Sequence, residues 1–315
     1  VLQLPVWSAR SEVYRSQVLG VPGAATVVGA LPGHRMVLQG AGAEAIRLSA
    51  IGSGVALIVA VALALPLAHL IGTHHTLFRR AVPVLIALIA GVLVISEPTT
   101  RGRLGGLCCM LLAVGFGQLT LDLPTSGGLL PPGMVSILGP IFSGLFGAPI
   151  LLDALSTGGE IPPQRGAALQ VRPRVAVRAA TSGALGGAMV GFLPGVSAGV
   201  ASIIALGGVG GSTTTGAETD RRYIIATSGA DTSTAVFALA SLVVIGSPRS
   251  GITIALEQLG GGAAPASVLT LLLLCVLAAG CALIVLLRVG EWYLEQIRRL
   301  PRRPIIIAVL LFLLA

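Results

Sequence analysis

The sequence predicts an all-α polytopic membrane protein, organised as inverted repeats with discontinuous helices broken at Pro-Gly elements. Three observations predict it. Charged residues make up 10% of the 315 residues and apolar residues 54%, against roughly 25% charged in an ordinary soluble domain. Too few charges remain to coat a soluble globule of this size, and a mean hydropathy of +0.94 excludes intrinsic disorder. Apolar runs long enough to span a bilayer recur along the chain. Finally, two Pro-containing segments far apart in sequence resemble each other.

The charge-free runs are 48–77, 81–96, 104–121, 123–152, 179–217, 232–248, 258–287 and 304–315. A spanning helix needs about 20 residues. Residues 48–72 and 266–287 meet this clearly. The run 81–96 is short and carries Pro83, and 134–152 contains Pro140 and Pro149. Residues 223–246 are long enough but carry Asp231. The run 179–217 is too long for one ordinary helix and has Pro194 and Gly195 at its middle. It is one broken crossing helix or two elements that enter and return.

Arginine distribution chooses between them. If the run returns, 17 arginines fall on one side of the membrane and only Arg79, Arg80 and Arg249 on the other. If it crosses once, the split is 11 to 9. The positive-inside rule prefers the first. The N-terminal segment and the loops at 97–103, 153–178, 218–222 and 288–303 are then cytoplasmic. Residues 288–303, with Trp292, Tyr293 and clustered arginines, read as an interfacial helix on anionic lipid.

The net charge of +8 is therefore a topology signal rather than a nucleic-acid footprint, since aromatic residues are only 4% and no basic stripe interleaves them. All 20 basic residues are arginine, and asparagine is absent too. A GC-rich genome accounts for both absences, but lysine-dependent nucleotide or Schiff-base chemistry is excluded. The Gly-rich stretch 207–216 lacks a phosphate-loop lysine and reads as a hinge. Cys108, Cys109, Cys275 and Cys281 show no metal spacing. No catalytic cluster, metal site or cofactor is expected. Val1 opens without a signal-peptide pattern and the chain stops within an apolar run, so both ends are expected to be incomplete.

The two similar segments are 19–40 (LGVPGAATVVGALPGHRMVLQG) and 245–261 (IGSPRSGITIALEQLGG). In the arginine topology they begin on opposite sides, as inverted repeats require. Residues 1–178 then form a first half and 179–315 a second. Pro and Gly free backbone groups that lipid cannot satisfy, so such breaks belong inside protein or beside a watery cavity. Exposed helix N-termini there attract anions. The candidate substrate-binding residues are Pro22, Gly23, Thr26, Pro194, Gly195, Ser197, Ser247, Arg249 and Ser250. Arg249 would meet a carboxylate. Asp231 with Thr232 is the candidate coupling-ion site for H⁺ or Na⁺, because intramembrane charges are costly and default to function. Helix ends in water are the plainer reading of Asp231 and Arg249, as a loop is for His34 and Arg35.

Residues 21–53 then resemble the large permease subunit of tripartite tricarboxylate transporters, the TctA family. The resemblance rests on the Pro-Gly segment and on Met36, Gln39, Gly40, Glu44, Ala45, Ser49, Ala50, Gly52 and Ser53. The variant Leu31-Pro32-Gly33-His34-Arg35-Met36 is similar to the archaeal-type branch. Residues 191–200 (GFLPGVSAGV) resemble the second-half Leu-Pro-Gly element, and 228–235 (SGADTSTA) stand where the family often carries an Asn-rich element. The resemblance implies a secondary transporter permease in the cytoplasmic membrane, not an enzyme. It implies a small organic anion as substrate, a carboxylate by family, and a small membrane subunit and an extracytoplasmic binding protein as partners. Membrane lipid surrounds it, and no nucleic acid is expected. The alternative is a membrane enzyme or translocase acting on phosphorylated lipid carriers. A purely structural subunit would not need broken helices.

Overall fold

An apolar run long enough to span a bilayer lies in a 32-residue helix, α2 (Gly42–Thr73). At 1.5 Å per residue it is about 48 Å long, more than the roughly 30 Å hydrocarbon layer. Its polar ends carry Glu44 and Arg47 at one side and His69 at the other. Pro66 interrupts its ladder without ending it, which a membrane bundle tolerates. A short helix, α1 (Ala30–Leu38), precedes it across a turn at Gly40, whose φ of 78° favours glycine. The computed structural model describes residues 30–97, 99–120, 144–145, 148–156, 162–164, 169–193, 196, 198–208, 217–246, 253, 268–299 and 302–314.

A single residue, His74, separates α2 from α3 (His75–Ile95), and α4 (Thr100–Thr120) follows. The latter buries no residue within the chain. Then come α5 (Ala148–Ser156), α6 (Pro173–Gly191), α7 (Ala198–Gly208), α8 (Ala217–Ile245), α9 (Val268–Arg299) and α10 (Arg302–Leu314). Among the described residues there is no strand, and four helices are long and apolar enough to cross a membrane. These four are α2, α4, α8 and residues 269–290 of α9. Leu111, Leu112, Leu119, Leu273 and Leu277 stand exposed along α4 and α9. Large apolar exposure of this extent belongs against lipid or protein, not water. The protein is an all-α, multi-pass membrane protein.

The core is a bundle of α2, α6 and α8. Small residues set its spacing. Gly52 of α2 lies against the Ile225 carbonyl, and Gly183 of α6 against the Ala226 carbonyl. A side chain at either position would collide with backbone, so close helix approach requires glycine there. The contacts advance together along each chain, so α2, α6 and α8 run parallel. Further along, Leu57, Ala60 and Ala64 of α2 pack with Phe192, Val236 and Phe237. α9 returns antiparallel along α2, with Leu272 near Ala64 and Leu294 near Ala43.

Residues 288–299 differ from the expectation of a separate interfacial helix. They continue the α9 span without a break, because no proline intervenes before Pro301. Leu294 is buried against Ala43 and Ile46, while Trp292 stays exposed.

Candidate functional site

α6 and α7 form a hairpin that enters the bundle and turns back. Ser182 Oγ donates to the Ala205 carbonyl at 2.6 Å, and Gly186 lies against Ala201. Rising numbers on α6 thus meet falling numbers on α7, the mark of antiparallel arms. α7 thus runs back towards the end of the bundle at which α6 begins, and α8 begins at that same end.

The hairpin turns within the apolar length of its neighbour. α6 stops at Gly191, which sits against Phe237 where any side chain would crowd it. Phe192 and Phe237 face each other tilted, with centroids 5.6 Å apart. Counting from Arg221 on α8, Phe237 lies about 24 Å along the axis, and about 12 Å short of Ile245. Interrupted backbone at this depth persists only inside protein or next to water. One turn to either side of Phe237, the hydroxyls of Thr234 and Ser241 are buried with no hydrogen-bond partner among the described residues. Buried hydroxyls ordinarily pair, so these two stand out as polar atoms that the described residues leave unsatisfied.

Asp231 and Thr232 sit half-buried mid-way along α8. The Asp231 Oδ1 atom is shielded from solvent. Thr232 Oγ1 donates to the Ser228 carbonyl at 2.9 Å, and Ser53 Oγ donates to the same oxygen at 3.3 Å. Ser228 and Ser49 share a buried hydroxyl–hydroxyl bond of 2.8 Å. A strip of hydroxyls therefore joins α2 to α8 beside Asp231.

The other sequence-predicted positions lie outside the described residues: Pro22, Gly23, Thr26, Pro194, Gly195, Ser197, Ser247, Arg249 and Ser250. What flanks them is described. α8 ends at Ile245, and Gly246 follows with φ of 64°, its N–H bonding the Leu242 carbonyl at 3.1 Å. This left-handed glycine cap stops the helix just before Ser247.

A polar cluster at the arginine-rich end was not foreseen. Glu44 accepts from Arg221 Nε at 2.8 Å and Nη2 at 3.2 Å, and from the Gln170 N–H at 3.1 Å. Arg221 Nη2 also donates to Gln170 Oε1 at 3.0 Å. The two charged side chains are only 6% and 13% exposed. Arg35 of α1 bonds Asp220 at 2.8 Å, so the arginine read as a loop residue ties α1 to α8. Gln164 clamps the α1–α2 turn, accepting from the Gly42 N–H at 2.8 Å and donating to the Val37 carbonyl at 3.1 Å. The signal in the sequence was Glu44 and Arg221, each at the rim of an apolar run. Their pairing spans 177 positions and has no local signature. Among the described residues no group of three or more His, Cys, Asp or Glu is placed to hold a metal.

The model of the tripartite tricarboxylate transporter TctA family matches residues 8–315. The chain belongs to the TctA family. TctA proteins usually function in a tripartite system with other subunits, a substrate-binding protein included. Three of the positions that carried the resemblance have structural roles in this TctA chain. Glu44 holds Arg221, Ser49 holds Ser228 and Gly52 admits the Ile225 carbonyl. The chain is also similar to an uncharacterized protein of Methanocaldococcus jannaschii, 28% identical over 142 residues. That match covers 45% of this chain and 34% of the relative, so the chain spans about a third of that protein's length. No solved structure matches.

Proposed function

We propose that the chain is the permease of a secondary transporter that moves an organic anion, a carboxylate, across the cytoplasmic membrane on a proton or Na⁺ gradient. The observation that carries this reading is the α6–α7 hairpin, whose arm α6 ends beside Phe237, with the buried, unsatisfied hydroxyls of Thr234 and Ser241 one turn to either side of that residue. Re-entrant backbone of this kind supplies free N–H groups and helix ends for an anion. Pro194, Gly195 and Ser197 at the turn contribute the second-half part of the substrate site. Pro22, Gly23 and Thr26 contribute the first-half part, and Ser247, Arg249 and Ser250 complete it. Arg249 meets the substrate carboxylate.

Asp231 and Thr232 take the coupling ion, supported by the hydroxyl strip that Ser49, Ser53 and Ser228 place beside them. The halves 1–178 and 179–315 exchange between inward- and outward-facing states as inverted repeats. The archaeal relative supports an archaeal-type member, and a small membrane subunit and an extracytoplasmic binding protein are its partners.

Proteoliposome uptake of labelled carboxylates, with and without an imposed H⁺ or Na⁺ gradient, tests the reading. Gradient-dependent uptake of at least one carboxylate is expected, and no such uptake across a broad anion panel sinks the proposal. Asp231→Asn should leave exchange of substrate intact but abolish its acceleration by the gradient. Full uptake by Arg249→Ala would remove that residue from the substrate site.

A further inference from the structure

Where α6 and α8 begin, three arginines surround one open cleft. Arg174 and Arg178 of α6 and Arg222 of α8 line it with Val175, around a volume of about 210 Å³. That is below the roughly 300–1,000 Å³ of pockets enclosing whole drug-sized ligands, and so suits a head group.

The charges there are unbalanced. Arg222 Nη2 bonds the largely exposed Glu218 at 2.6 Å, while its Nε is buried with no hydrogen-bond partner among the described residues. Arg174 and Arg178 make no ion pair among the described residues, and they stand one helical turn apart, where like charges repel. The neighbouring acids are committed elsewhere, Asp220 to Arg35 and Glu44 to Arg221. Among the described residues, three guanidinium groups thus face one carboxylate.

We propose that this cleft binds a phosphate group. Guanidinium forks match phosphate oxygens bidentately, and a bound phosphate relieves the Arg174–Arg178 repulsion. The site lies at the membrane-end rim, away from the hairpin turn, and is independent of what the protein transports. The phosphate comes from an anionic lipid head group or from a free phosphate compound, and the two sources separate by experiment.

The test uses the full chain in non-ionic detergent. In one arm, native mass spectrometry counts phosphatidylglycerol retained after dilution. In the other, calorimetry follows titration with inorganic phosphate and with glycerol 3-phosphate. Binding in the first arm alone identifies lipid as the source, and binding in the second identifies a free phosphate. In whichever arm binds, R174Q/R178Q should weaken affinity roughly thirtyfold, from two lost arginine contacts. R101Q/R103Q removes the same charge at another exposed site and should change it less than about threefold. Equal losses in the two double variants, or no binding in either arm, overturn the proposal. If R174Q/R178Q is not monodisperse, the single R178Q replaces it, with about fivefold weakening expected. A loss under twofold for R178Q overturns the proposal.

Discussion

At the residue scale, the decisive contact is the ion pair between Glu44 and Arg221. Both side chains are almost withdrawn from solvent, and Gln170 satisfies remaining valences on each. Removing one partner of such a pair leaves the other charge buried alone, which costs about 3–5 kcal/mol. Glu44→Gln is therefore expected to lower stability by about that amount, read as a fall in the midpoint of thermal or denaturant unfolding in detergent. The double variant E44Q/R221Q should recover most of the loss. Equal stability of E44Q and the wild type would show that the pair does not join α2 to α8. Neither residue looked special in the sequence beyond its motif or topology role. A pair 177 positions apart becomes visible only when two helices meet.

At the element scale, glycine abundance finds its explanation. The sequence holds 43 glycines, and a high count alone does not separate loops from tight helix packing. The structure separates them. Gly52 and Gly183 meet carbonyls of α8 directly, whereas Gly105 and Gly115 of α4 have nothing near them. Gly183→Leu should thus be severe, costing more than the usual 1–3 kcal/mol of overpacking because backbone rather than side chain is in the way. Gly115→Leu should be nearly silent. Folded yield and unfolding midpoint, measured side by side, check the contrast. Comparable losses in both would contradict the packing described. The α6–α7 hairpin was legible as an alternative in the sequence, through the length of 179–217 and its central Pro-Gly. Its antiparallel arms, and its halt beside Phe237, came from the packing of Ser182, Gly186 and Gly191.

For the whole molecule, the parallel entry of α2, α6 and α8 places Arg47, Arg178 and Arg222 at one end and Arg80 towards the other. In a functional variant lacking Cys108, Cys109, Cys275 and Cys281, single cysteines replacing Arg178 or Arg101 should react with a membrane-impermeant maleimide only from the cytoplasmic side. A cysteine replacing Arg80 should react only from outside. Labelling of all three from one side would contradict the arginine topology.

The sequence by itself determined the solvent and the class. An apolar chain with so few charges must live in lipid, and lipid admits helices because each satisfies its own backbone. It also marked where helices break, since proline and glycine act locally. Tertiary structure alone decided which polar residues face one another. Glu44 with Arg221, Ser49 with Ser228 and the cleft of Arg174, Arg178 and Arg222 all join helices distant in sequence. Their meeting depends on how closely the small-residue faces of α2, α6 and α8 pack, a property of the bundle that no single segment encodes.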